Sequence, residues 1–125
     1  MCNEQKQLIK RLNACGINIF SFRKNPKSIL IEIDNTLIQI GNLLSSSIIV
    51  EESFPYVATL YVNGMECAIV HNSGSGGIAT LCLLNSDWNK SKSVIRNIER
   101  KLNKKMPMYS LEKLCDLLIY QFLLY

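Results

Sequence analysis

Tyr56-Val57-Ala58-Thr59-Leu60-Tyr61-Val62-Asn63-Gly64-Met65-Glu66-Cys67-Ala68-Ile69-Val70-His71 is the stretch that decides the fold. Two apolar runs meet at Asn63-Gly64. An Asn-Gly pair between such runs is the strongest short-range hairpin signal, because a type I′ turn needs positive φ at both central residues. A two-residue turn also sets a register. Val62 opposes Met65, Leu60 opposes Cys67, Ala58 opposes Ile69 and Tyr56 opposes His71, all on one apolar face. Tyr61–Glu66, Thr59–Ala68 and Val57–Val70 fall on the other, mixed face. Downstream, His71-Asn72-Ser73-Gly74-Ser75-Gly76-Gly77 reads as a loop leading into a strand over 78–84. Its three glycines imply backbone conformations, or close approaches, that a Cβ would forbid.

Helix signals lie toward the two ends. Residues 4–14 set Leu8, Ile9 and Leu12 against Lys6, Lys10 and Arg11, an amphipathic helix closed by Gly16. Ile17 to Phe22 alternates as a half-buried strand does, and Arg23 to Lys27 is a polar loop. Ile29–Ile33 and Thr36–Ile40 flank Asp34-Asn35 as a second hairpin, although 28–44 is apolar enough on several faces for a helix. Ile48-Ile49-Val50 reads as a short strand or its lead-in. Asn85-Ser86-Asp87 starts a helix over 88–105 whose buried stripe is Val94, Ile95, Ile98 and Leu102, and Pro107 ends it. Ser110 caps a last helix over 111–124, apolar nearly all round except for Glu112, Lys113, Asp116 and Gln121. Such a helix is either central to a core or shared with a partner, so a homo-oligomer through 111–124 stands beside burial within one chain. The predicted class is α+β, a single domain over 1–125: an antiparallel sheet of about four to six strands with an N-terminal helix and two C-terminal helices.

Composition narrows the setting. At 125 residues, 48% of them hydrophobic and 19% charged, the chain suits one globular domain rather than two or a disordered segment. No apolar run reaches the roughly 18 residues that span a bilayer, and the first residues lack the basic-then-apolar order of a secretory signal. Cys2, Cys15, Cys67, Cys82 and Cys115 are odd in number and scattered, which fits reduced thiols in the cytoplasm better than a disulfide framework.

Charge is concentrated. Between Asn85 and Lys105 there are seven basic residues and two acidic ones, a balance of +5, so the rest of a +4 chain is −1. Lys92, Arg96, Arg100 and Lys104 recur every fourth residue and form a row opposite the apolar stripe. Such a row can meet phosphates or an acidic protein surface, and a merely solvated helix face explains it equally well. The row holds no aromatic residue for base stacking beyond Trp88 at its start.

Other candidates are weaker. Asn72, Gly74, Gly76 and Gly77 could turn backbone N–H groups toward an anion or a partner. Phosphate-cradling loops, however, run into a helix and carry a lysine by the last glycine, whereas this one runs into a strand. A connection needing positive φ is the simpler account. His71 is the only histidine, so no multi-histidine metal site is expected. Cys67 should share its face about 13 Å away along the strand, beyond thiol-activating contact. Pairing of His71 with Cys82 or Cys115 has no support in the sequence. Glu32 with Asp34, and Glu51 with Glu52, could ligate magnesium, but no third acidic group accompanies them, and charged edge strands explain them more simply. No catalytic residue, metal or cofactor is therefore expected.

Ala58-Thr59-Leu60-Tyr61-Val62-Asn63-Gly64, the strand after it, Asn72-Ser73-Gly74-Ser75-Gly76-Gly77 and the closing Leu111-Glu112-Lys113-Leu114-Cys115-Asp116-Leu117-Leu118 together resemble short uncharacterised proteins of phages, prophages and plasmids. In those proteins a strand–(Asp or Asn)-Gly–strand hairpin runs into an Asn-x-Gly-x-Gly-Gly loop. The resemblance covers a third to a half of the chain and implies a mobile-element origin. The resulting expectation is a small non-enzymatic, cytoplasmic binding protein that inhibits a host defence protein. Lys92, Arg96, Arg100 and Lys104 would be its electrostatic contacts and the 72–77 loop a secondary one. The alternative is a nucleic-acid- or nucleotide-binding module using the same basic helix or the glycine-rich loop.

Overall fold

The computed structural model describes residues 2–45, 55–74, 76–84 and 88–124. The expected strand at Ile48-Ile49-Val50, the helix-start cluster Asn85-Ser86-Asp87 and the Glu51-Glu52 pair lie outside the described residues. The chain runs α1 (Asn3–Ala14), β1 (Ile17–Lys24), β2 (Lys27–Ile33), β3 (Thr36–Ser45), β4 (Tyr56–Val62), β5 (Met65–Asn72), β6 (Thr80–Leu83), α2 (Trp88–Lys105) and α3 (Leu111–Leu118). A π-helical turn, Ile119–Leu123, prolongs α3. Six strands, each antiparallel to its neighbours, form one meander in the order β1-β2-β3-β4-β5-β6, and the α+β class holds.

Turn chemistry sets this order. Asn63 and Gly64 take φ of 50° and 83°, as a type I′ turn requires, and Asp34 and Asn35 take 47° and 66° in the second hairpin. Residues 28–44 are therefore a hairpin, not a helix. The polar loop expected over Arg23–Lys27 shrinks to Asn25-Pro26, because both flanking strands extend through their lysines.

The helices cover one face of the sheet. Ile29, Ile31, Ile33, Ile38, Ile40, Leu60, Ala68 and Val70 point toward them and are at most 1% exposed. Leu37 and Val57 point away and are exposed. α3 and its π-helical end fill the centre of this layer: Leu114, Leu118, Ile119, Phe122 and Leu123 are buried, and Phe22 meets Phe122 at 5.0 Å between ring centroids. Much of the apolar surface of the last helix is thus buried inside the chain, while Leu117, Tyr120 and Leu124 remain half-buried. Burying one such side chain contributes roughly 1.5–3 kcal/mol, so this helix is a principal source of stability.

Three bulges break the alternation, and one corrects the expected register. In β5, Val62 opposes Met65 and Tyr61 opposes Glu66 as expected, but a bulge at Cys67 then shifts the pairing by one residue. Leu60 opposes Ala68, Ala58 opposes Val70, Val57 opposes His71 and Tyr56 opposes Asn72. An inserted residue is left unpaired and flips everything beyond it to the other face. Asn72 therefore turns inward, and His71 turns to the open face, away from buried Cys67. In β1, Phe20 is the inserted residue; it stands 58% exposed while Phe22 reaches the core. In β3 the pairing shifts between Gly41 and Leu44, where Asn42 takes a φ of 50°.

An alanine Cβ at Gly64 would meet nothing within 4 Å, so Gly64→Ala isolates the backbone cost of its φ of 83°. Urea denaturation should show a loss of about 1–2 kcal/mol with an unchanged m value.

Candidate functional site

The first candidate surface is α2. Its inward stripe is Ser91, Ile95, Ile98 and Leu102, with Val94 half-buried at its edge. The structure divides its cations into two groups. Lys101 Nζ donates to Thr36 Oγ1 at 2.8 Å, and Lys105 Nζ pairs with the Asp34 carboxylate at 2.9 Å. These two lysines hold the helix to the β2–β3 turn. Arg96, Arg100 and Lys104 are exposed along the outer face, while Lys92 is half-buried with its ammonium 4.6 Å from the centre of the Trp88 ring. Three members of the expected row stand in solvent, and the fourth makes a cation–π contact. Beside the row, a groove between α2, β6 and the start of α3 contains Lys92, Arg96, Glu99 and Glu112. Partial burial holds the Glu99 carboxyl above its ordinary range, Glu112 adds to that shift, and Arg96 opposes it.

The second candidate is the glycine loop, and the β5 bulge creates it. Asn72 is 6% exposed, with its side chain turned into the layer between sheet and helices. Its Oδ1 accepts from the Gly74 N–H at 2.8 Å, and its Nδ2 donates to the Gly77 carbonyl and to Asp116 Oδ1, each at 3.1 Å. Tyr56, directly across on β4, donates its hydroxyl to the same Asp116 Oδ1. The Ala79 N–H donates to Asp116 Oδ2 at 2.9 Å. One carboxylate on α3 thereby ties together β4, β5 and the exit of the loop. Burial, reinforced by the hydrogen bond to Asp116, pushes the Tyr56 hydroxyl far above its ordinary range, so it stays a proton donor. Gly74 and Gly76 take φ of 81° and 88°, whereas a Cβ on Gly77 would meet nothing. Gly74 and Gly76 are thus required by the backbone, and the Gly74 N–H is already engaged within the chain.

Between this loop, the α2–α3 connection and the π-helical end of α3 lies an open cavity of about 600 Å³. Asn72, Gly76, Gly77, Tyr109, Lys113, Asp116, Leu117 and Tyr120 line it. The sequence reading selected Asn72 and the glycines but assigned Asp116 only to a polar strip. The available signal was an acid set among apolar residues in the middle of that helix, away from its first turn.

The remaining candidates resolve as follows. Cys82 Sγ lies 3.8 Å from His71 Nε2, both on the open face of the sheet, a pairing the sequence did not support. Cys67 and Cys115 are buried; desolvation raises the Cys67 thiol and pushes that of Cys115 up to about 12, so neither is a ready nucleophile. Glu32 accepts from Asn18 Nδ2 and from the Asn35 N–H, each at 2.7 Å, which holds its carboxyl below the ordinary range. Among the described residues, no group of three or more His, Cys, Asp or Glu side chains is placed to hold a metal ion. No helix among them is long and apolar enough to cross a membrane.

Comparison with family models, with curated proteins and with solved structures finds no match to this chain.

Tyr56→Phe removes one of the three donors on Asp116 without opening a cavity. Its unfolding free energy should fall by about 1.5–3 kcal/mol, the range for a hydrogen bond to a charged group. The amides of Gly74 and Ala79 should exchange faster with deuterium, while those of the Asn63-Gly64 hairpin keep their wild-type rates.

Proposed function

We propose that this chain works by binding an acidic protein partner through the outer face of α2, with Arg96, Arg100 and Lys104 as the contacts and Lys92 at the end of the row. The observation that carries this reading is the division of cations on one helix. Lys101 and Lys105 anchor it, whereas Arg96, Arg100 and Lys104 point into solvent. Successive members of the row are about 6 Å apart along the axis, so one acidic surface can meet all three. A row of this kind speeds encounter with opposite charge, and the two guanidinium groups can grip carboxylates in bidentate fashion. The resemblance to phage and plasmid proteins implies a mobile-element origin and no established activity; with that origin, the reading takes a host defence protein as the partner and its inhibition as the outcome. A nucleic-acid reading uses the same cations against phosphates and has one aromatic neighbour in its favour, Trp88 under Lys92.

Capture from bacterial lysate with wild type and with the triple variant Arg96→Glu, Arg100→Glu, Lys104→Glu tests this. Wild type should retain one acidic protein that the variant, with unchanged circular dichroism and unfolding midpoint, does not. The same partner held equally by the variant would contradict the proposal. Salt-sensitive retardation of DNA or RNA without protein capture would transfer the row to the nucleic-acid reading.

A further inference from the structure

We infer that the outer edge of β6 is a contact surface for a second copy of this chain, the two β6 strands pairing antiparallel about a two-fold axis that passes beside Cys82. The surface does not use Arg96, Arg100 or Lys104, so it stands independently of the outer face of α2.

Backbone direction comes first. Among the described residues, β6 (Thr80–Leu83) is the last strand of the sheet and pairs only with β5. The Leu84 N–H donates to the Cys67 carbonyl at 3.1 Å. Bonded and non-bonded residue pairs alternate along an antiparallel ladder, so Cys82 and Thr80 turn their N–H and C=O toward Ile69 and His71 on β5. Leu81 and Leu83 then turn theirs to the outer edge. Such edges invite pairing, and proteins blunt them with charge, proline or a bulge. The opposite edge strand, β1, has a bulge at Phe20 and exposed Arg23 and Lys24. By contrast, β6 pairs in unbroken register and carries neither charge nor proline.

Symmetry and neighbouring bonds choose the register. On a two-fold axis, Leu81 opposes Leu81, Leu83 opposes Leu83, or Leu81 opposes Leu83. The first sets Leu83 against Ala79 of the second copy, whose N–H is already held by Asp116 Oδ2 at 2.9 Å. The second carries Leu81 past the end of the other strand. In the third, every outward group of both strands meets a partner, and Cys82 opposes Cys82 across the axis. Side chains agree: Leu81 and Leu83 are half-buried on the helix side and cover each other, while Cys82 is exposed on the open face.

Charge selects a second copy as the occupant. The chain leaves the Leu83 end of β6 toward α2, where Lys92 lines the groove under the strand. Asp116 fixes α3 at the Ala79 end, and Glu112, one turn earlier, lines the same groove. Antiparallel pairing brings Lys92 of each copy toward Glu112 of the other, the self-complementary pattern of a two-fold contact. Four strand residues a side make a small contact, so the dimer is weak and concentration-dependent.

The experiment combines analytical ultracentrifugation of the reduced protein with amide hydrogen exchange. Wild type should dimerise reversibly at submillimolar concentration, and the Leu81 and Leu83 amides should gain protection as concentration rises. Opposed Cα atoms of a non-bonded pair lie about 4.5 Å apart, within disulfide reach. Diamide, which takes up the two thiol protons and two electrons, should therefore link Cys82 to Cys82 faster than it links Cys2 or Cys15. Cys82→Lys and Cys82→Asp, both exposed substitutions, should each dimerise about fivefold more weakly, as directly opposed like charges imply. Their equimolar mixture should form a mixed dimer in preference to either alone. A wild type that stays monomeric at submillimolar concentration would overturn the inference. So would a dimer that leaves Leu81 and Leu83 unprotected, or charged variants with no preference for each other.

Discussion

A carboxylate on a helix packed against a sheet costs several kcal/mol unless donors surround it, by the general desolvation cost of about 2–7 kcal/mol for an unpaired polar group and more for a charge. Among the described residues, Asp116 meets three donors, each from a different part of the chain: the Tyr56 hydroxyl on β4, the Asn72 amide at the end of β5 and the Ala79 N–H beyond the loop. None of these groups is near Asp116 in sequence. Their convergence fixes α3 against the sheet edge more specifically than apolar contact can, because apolar contact is non-directional. It also fixes the loop. Asn72 spends its remaining capacity on Gly74 and Gly77, so the path of the glycines follows from where the carboxylate sits.

That convergence depends on one inserted residue. Without the bulge at Cys67, strict alternation would carry His71 inward opposite Tyr56 and leave Asn72 on the open face. The glycine loop would then start from the wrong side of the sheet. The bulge has a second result: His71 reaches the open face beside Cys82 on the neighbouring strand. Bulges commonly re-aim side chains near functional sites, and this one re-aims two.

Much of the architecture was legible in the residues. Asn63-Gly64 and Asp34-Asn35 announced their hairpins through the φ values those residue types tolerate, and the periodicity of 88–105 gave α2 with its stripe. Bulges are harder to read, because inserting one residue leaves composition and propensity unchanged. A trace was present at Ile19-Phe20-Ser21-Phe22, where the apolar phase slips by one, and Phe20 is the residue pushed out. No such slip marks Cys67, since Cys67, Ala68, Ile69 and Val70 are all apolar and fit either phase. Asp116 was hidden for a related reason: periodicity shows where a helix is polar, not which distant donors will meet that polarity. The basic row was legible as a row. Only the structure separates Lys101 and Lys105, engaged with the β2–β3 turn, from the exposed Arg96, Arg100 and Lys104.

Two surfaces emerge with different physics, a cationic helix face open to solvent and a cavity whose rim is set by hydrogen bonds. The second rests on the claim that one carboxylate organises the loop. A crystal structure of Asp116→Ala addresses this most directly. The account expects the six-stranded register, including the bulge at Cys67, to persist while Gly74, Gly77 and Ala79 leave their wild-type positions and the cavity loses its rim. A loop that keeps its wild-type course, with Asn72 still bonded to Gly74 and Gly77, would contradict it.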